Sequence, residues 1–368
     1  METSSANSRD RVDERDTMFA RMARSPGSRP YDDYYERHPD LRSTDDRLRN
    51  LPALCRPGGR HFDPAITGEA DTYFEAIDDI RPEPGTVRQV AAALAEARDS
   101  AGVGDGGAWN ATGDLKALAR SLGAVAVGCT PLDPAFVYTH KGRLDDDYGQ
   151  PVTLDHPSAI VFLVEMDHDA MQRAPGAPVI RESARQYYRA AVIGKTIAAV
   201  LRELGYAAKP HYDAHYDVIL PPLAVHAGLG ELGRNNLLIA DRYGSRVRIG
   251  AVTTDLPLTY DAPVSLGVRQ FCDVCRKCAD SCPPRALSAG EREAVRGVWK
   301  WPTRVEQCYG YWRHLGTDCG ICMAGCPFSH RDNAFHASVR WLIKRVPWLA
   351  PLAVRADDLV YGRHWRAR

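Results

Sequence analysis

The chain has 368 residues, Lys plus Arg equal to Asp plus Glu at 47 each, and 44% apolar residues, enough for two or three units with real cores. The neutral balance lacks the global basic field that nucleic-acid binding would use. No stretch approaches the roughly 18 apolar residues of a membrane span, and residues 1–27 lack the apolar centre of an export signal, so a cytoplasmic protein is expected.

In chain order, residues 1–28 are rich in Asp, Arg and Ser and predict disorder. Residues 29–85 scatter aromatics between turn signals, as an arm packing on a larger body would. From residue 86 the pattern changes. Residues 86–100 predict an alanine-rich helix and 114–122 a second, stopped by Gly123. Residues 124–128 and 159–164 read as buried strands, 182–204 as a long helix ending at Gly205, and 247–253 as a further strand. Helices alternating with apolar strands over 86–265 argue for an α/β or α+β core. No G-x-G-x-x-G run follows a predicted strand and no Walker-type G-x4-G-K-[ST] occurs. The segment Ala227-Gly-Leu-Gly-Glu-Leu-Gly-Arg-Asn-Asn236 places Gly228, Gly230 and Gly233 within six residues, which lets backbone approach a flat or phosphorylated ligand, or simply makes a turn.

Eight of the ten cysteines then fall in two clusters within residues 266–330. The first is Cys272-x2-Cys275-x2-Cys278-x3-Cys282-Pro283; the second is Cys308 followed by Cys319-x2-Cys322-x3-Cys326-Pro327. Three closely spaced cysteines wrap three corners of a [4Fe–4S] cube, and the cysteine before proline serves the other cube. The spacing therefore assigns Cys272, Cys275, Cys278 and Cys326 to one cluster and Cys282, Cys308, Cys319 and Cys322 to the other. Residues 309–318 read as an inserted loop. Zinc would favour two separated C-x2-C knuckles, and disulfides an oxidising compartment. Cys55 and Cys129 read as buried small hydrophobes. The tail, 331–368, is basic, which allows solvated surface or a polyanionic or membrane contact. A 180-residue core in front of an electron-carrying domain implies an enzyme.

The Ala227–Asn236 block, the run Gly244-Ser-Arg-Val-Arg-Ile249, Thr254-Asp-Leu-Pro-Leu258 and the first cysteine motif together resemble the corrinoid-dependent reductive dehalogenases and the related epoxyqueuosine reductases. The resemblance runs in order over about residues 115–330. It implies a nitroreductase-like core holding a base-off cobalamin, a ferredoxin-like domain with two [4Fe–4S] clusters, an organohalide substrate and a separate low-potential electron donor such as a ferredoxin or flavodoxin. It also implies a tyrosine acid near the start of the long helix, aided by a basic residue. Tyr187 and Tyr188 are the candidates, with Arg248 as the cation. Gly228, Gly230, Gly233, Arg234, Asn235, Gly194 and His215 are the candidate cofactor contacts. Helical periodicity favours Tyr187, which shares a face with the small residues Ala190, Ala191, Gly194 and Ala198; that face either makes room for a planar ring or permits close helix packing. Asp213 and Asp217 are competing acids under an alternative tRNA epoxyqueuosine reductase reading. A third reading is an electron-transfer iron–sulfur protein without corrinoid.

Overall fold

The computed structural model describes residues 11–100, 111–296 and 298–365. Its centre is a four-stranded sheet, β1 (Ala126–Pro131), β2 (Ser158–Glu165), β3 (Ala208–His211) and β4 (Val247–Thr254), in the order β1-β2-β4-β3. Every pairing is antiparallel, so the alternation of helices and strands makes a mixed α+β layer rather than a parallel sheet. β2 lies centrally and is buried on both faces, which is why it reads as an unbroken apolar run. Ile160, Phe162 and Val164 face the helices 84–100, 112–121 and 178–203, while Val161 and Leu163 face a second core with Val218, Leu223 and Leu238. Gly250 sits opposite Phe162 because the ring fills its side-chain space: a Cβ there would come within 2.4 Å of Phe162 Cζ.

The long helix, Pro178–Glu203, starts with proline in its first turn and stops before Gly205, which takes φ +88°. Its small face is a packing face. Ala190 and Ala198 lie in the core against the sheet, and a Cβ on Gly194 would meet Pro210 of β3 at 3.5 Å and Phe162 at 3.7 Å. Gly194 therefore serves helix–sheet contact and does not open space for a ring.

Disorder expected over residues 1–28 is overturned from Arg11 onward; residues 1–10 lie outside the described ones. Arg11 donates to the carbonyls of Val137 and Val152, Glu14 is buried, and Met18–Ala23 is helical. The arm continues through helices Arg29–Arg37, Pro39–Arg49 and Pro64–Asp79. It joins the two halves of the molecule: helix 64–79 packs along helix 178–203, and Arg313 of the cysteine domain donates to the carbonyls of Arg49, Leu51 and Pro52. The arm is pinned by a buried ion pair, Arg21–Asp45 at 2.5 Å, whose aspartate also accepts from Tyr35 Oη at 2.7 Å. Asp45→Ala would leave Arg21 with Glu306 alone, at 2.8 Å, and would remove the acceptor of Tyr35, at a cost of about 2–3 kcal/mol that a lowered melting temperature checks.

Past residue 267 come a helix (Val268–Cys275), a small hairpin (Glu293–Val295 with Val298–Lys300) and a helix (Val305–Leu315) that packs on the arm. The expected loop at 309–318 is thus mostly helix: the aromatic and Leu positions that broke the cysteine repeat are its packing face. The tail is not loose either. Helices Ala334–Arg345 and Ala350–Tyr361 dock on the first cysteine motif through Ile343, Ala350 and Val354.

Candidate redox centre and adjoining cavity

The eight cysteines line two separate cavities. One is bordered by Cys272, Cys275, Cys278 and Cys326, the other by Cys282, Cys308, Cys319 and Cys322. The sharp turns that aim the thiols use left-handed backbone at Arg276 and Gly320. Burial pushes the thiols up, Cys326 and Cys308 to about 11, Cys275 and Cys319 to about 12. Such groups give up their protons only against bound positive charge, as iron supplies. Backbone N–H groups already point at the sulfurs, with Ala286 donating to Cys282 Sγ at 3.3 Å. Among the described residues, no three Cys, His, Asp or Glu side chains converge closely enough to hold a single metal ion. Cys55 and Cys129 are buried away from both cavities and their thiols are likewise raised, to about 11 and about 12.

The Arg-Asn-Asn run belongs to this domain's anchorage. Arg234 is buried, donates to the carbonyls of Cys272, Ser288 and Gly290, and lies over the Trp301 ring at 4.6 Å. Asn235 donates to Cys322 O at 3.3 Å. The glycines before them approach their own chain: Cβ atoms would meet Ala262 O at 2.5 Å from Gly228 and Ile239 O at 2.3 Å from Gly230, with Ile239 Cγ1 at 2.8 Å from Gly233. The close backbone approach read from the sequence is therefore internal packing.

In the core, a cavity enclosing about 260 Å3 opens beside the second cysteine set. Tyr187, Arg248, Arg143, Asp213 and Tyr216 reach it, walled by Phe19, Tyr138, Val247 and Met323. It shares Arg248, Leu237 and Met323 with the cavity of Cys282, Cys308, Cys319 and Cys322. The Arg248 guanidinium lies over the Tyr187 ring at 4.6 Å. Its Nη2 donates to Ser183 Oγ at 2.6 Å and to Asp318 at 3.4 Å, while its buried Nε has no partner. Ser183 Oγ in turn donates to Asp318 at 2.5 Å. Tyr187 is half-buried at the cavity wall, and desolvation raises its phenol well above the usual range; Arg248 and Arg143 act in the opposite direction. Burial also raises the Asp318 carboxyl, against the pull of Arg248. On the far wall Arg143 Nη1 donates to Tyr216 Oη at 3.2 Å and Asp213 at 3.4 Å, beneath the Phe19 ring at 4.7 Å.

Other candidates lie elsewhere. Tyr188 packs on Tyr73 at 5.8 Å, outside the cavity lining. Asp217 is buried between Lys141 and Lys209; burial would raise its carboxyl, and the two ammonium groups hold it below the ordinary range instead. It does not line the cavity. His215 bonds Asp78 at 2.7 Å and packs at a tilt on Tyr212, 5.0 Å between centroids, also away from the cavity. Arg246, on the same strand side as Arg248 by alternation, is spent on Glu165, Met166 O and Ser329 O. Sequence reasoning missed Arg143, Tyr216, Ser183 and Asp318. Only Asp318 carried a signal, since it directly precedes a cluster cysteine.

Residues 271–330 match the family model of the 4Fe-4S dicluster domain. The class is thus an iron–sulfur protein with two such clusters. The tetrachloroethene reductive dehalogenase of Sulfurospirillum multivorans is 34% identical over 286 residues, covering 68% of this chain and 57% of its own. A solved reductive dehalogenase, whose structure is described as suggesting a mechanism for B12-dependent dehalogenation, is 26% identical with a TM-score of 0.70, covering 96% of this chain and 46% of its own. An epoxyqueuosine reductase of Lactococcus garvieae is 32% identical over 150 residues, 39% of this chain and 41% of its own. The resemblance to the reductive dehalogenases is borne out, and the chain spans about half the length of the curated relatives it matches.

Proposed function

We propose that the protein is a cobalamin- and iron–sulfur-dependent reductase that removes halogen from a small organohalide, working in the cytoplasm with an external low-potential donor. The observation that carries this reading is the Tyr187–Arg248 stack in a cavity that shares its wall with the second cysteine set. The core would be nitroreductase-like, and the wall Leu237–Ile249, with Ser245, Val247 and Ile249, would hold the corrinoid. The lining would suit such a group in that it is mostly apolar and the buried Arg248 Nε has no partner and could meet a polar edge of the group. The enclosed volume of about 260 Å3 is below the roughly 300–1,000 Å3 of drug-sized sites, so the wall must yield to admit the macrocycle. Bound there, a base-off corrinoid supplies a strongly reducing metal fed by the clusters one electron at a time.

In the net reaction the carbon–halogen bond takes up two electrons, halide leaves, and a proton reaches carbon. The residues of this chain supply the proton and the fit. Tyr187 stays protonated at neutral pH because burial disfavours the phenolate, and Arg248 stabilises the charge left when the proton goes. Ser183 and Asp318 fix Arg248. Arg143 keeps its Nε and Nη2 free of protein acceptors among the described residues, under an aromatic wall, which suits a ring bearing carboxylate or phenolate oxygen.

An anaerobic assay with a low-potential reductant against halobenzoates, halophenols and neutral haloarenes tests the reading. Turnover of the anionic rings is expected, with Arg143→Gln raising their KM about 10–100-fold and leaving neutral rings unaffected. No halide release from any of them overturns dehalogenation. The alternative, an epoxyqueuosine reductase-like enzyme, rests on Asp213 facing the same cavity, and full activity in Asp213→Asn removes it.

A further inference from the structure

The two helices that follow the cysteine domain invert the usual pattern of a surface helix. Helix 334–345 turns Ile343 inward and helix 350–361 turns Ala350 and Val354 inward, where they complete the core around the first cysteine set. The opposite face should be polar. The outward surface of the segment, the turn between the helices included, carries instead Phe335, Trp341, Trp348, Leu352, Leu359 and Val360, with Leu359 88%, Trp348 77% and Trp341 58% exposed. So many large apolar side chains on one short helix–turn–helix mark a surface that something covers.

Charge on the same segment says what covers it. Lys344, Arg345 and Arg355 are exposed and form no ion pair among the described residues; Arg345 lies against the Trp341 ring at 5.2 Å. The acids of the segment are already engaged: Asp332 by Arg242 and Arg340, Asp357 by Lys277 and His330, Asp358 by Lys277 and Arg363. A two-fold partner copy would present the same patch to itself, setting these basic groups near their own counterparts with no free acid to offset them. An anionic lipid surface complements every part: tryptophan and leucine enter the boundary between headgroups and acyl chains, and lysine and arginine meet phosphate.

We propose that this helix pair seats the protein peripherally on a bilayer surface rich in anionic phospholipid. Among the described residues no helix is long and apolar enough to cross a membrane, and this mode of attachment needs none. Seating would turn the side of the molecule next to the first cysteine set toward the lipid. The inference is independent of the reductase reading, since it uses no residue of the cavity.

Co-sedimentation of the anaerobically purified, cluster-loaded protein with vesicles tests it. Vesicles of phosphatidylcholine mixed with phosphatidylglycerol should pull the protein down and shift its tryptophan emission to the blue, and phosphatidylcholine alone should bind it far less. Lys344→Gln, Arg345→Gln and Arg355→Gln should each weaken binding to the mixed vesicles about fivefold. A Trp348→Ser, Leu359→Ser double variant should lose retention with unchanged cluster absorption, since these side chains are exposed, and the glutamine variants test the electrostatic half of the contact independently. Protein left in the supernatant with both vesicle types overturns the proposal. So does a dimer in solution that the serine variant converts to monomer, since a second copy would then be the occupant.

Discussion

Tyr187→Phe should cost the protein about 10^2–10^4-fold in halide release while leaving its cluster absorption and melting temperature close to the parent. Tyr187 lines the cavity with the Arg248 guanidinium over its ring, which sets a phenol beside a cation that can steady its anion. Losing the phenol oxygen leaves ring, volume and packing against Phe74 in place, so the effect isolates chemistry from folding. Tyr188→Phe provides the contrast. Its ring packs on Tyr73 outside the cavity, so activity should stay within a factor of about two. Undiminished halide release in Tyr187→Phe would remove the tyrosine from the mechanism, and loss in Asp213→Asn instead would move the proton to the other wall.

Cys308→Ser should abolish turnover altogether. Cys308 stands eleven positions ahead of Cys319 in sequence, yet it lines the same cavity as Cys282, Cys319 and Cys322. Removing one of four thiolates opens that cube, so iron should fall from about eight to about four per chain. The set of Cys272, Cys275, Cys278 and Cys326 lies in its own cavity and should keep its iron. Since the damaged set is the one that shares Arg248, Leu237 and Met323 with the core cavity, electrons would lose their last stop before the substrate. Unchanged iron in this variant would exclude Cys308 as a ligand.

Elements with one dominant local signal were legible in the sequence. The apolar run of β2 and the long helix, bounded by its terminal glycine, declare themselves because burial on both faces and capping leave unambiguous patterns. The cysteine grouping could be assigned from spacing alone, since a cube admits few loop lengths. What was missed depends on contacts distant in sequence. β3, with Lys209 and Pro210 in four residues, has no strand periodicity and exists only because β4 offers it an edge. Arg11 and Glu14 read as part of a polar tail but close over the 137–152 loop. Three glycines near residue 230 announced a close approach without naming what approaches, and it proved to be the chain itself. Arg143 and Tyr216 come from irregular segments, where no periodicity marks a side chain as facing inward.

The account stands on two cubes beside a cavity that takes a corrinoid, and metal analysis combined with a visible titration reaches it most directly. Protein purified without air and titrated with hydroxocobalamin should contain about eight irons per chain and bind one corrinoid whose spectrum shifts to the base-off form. Zinc in place of iron, or full iron with no corrinoid retained at any concentration, would contradict it.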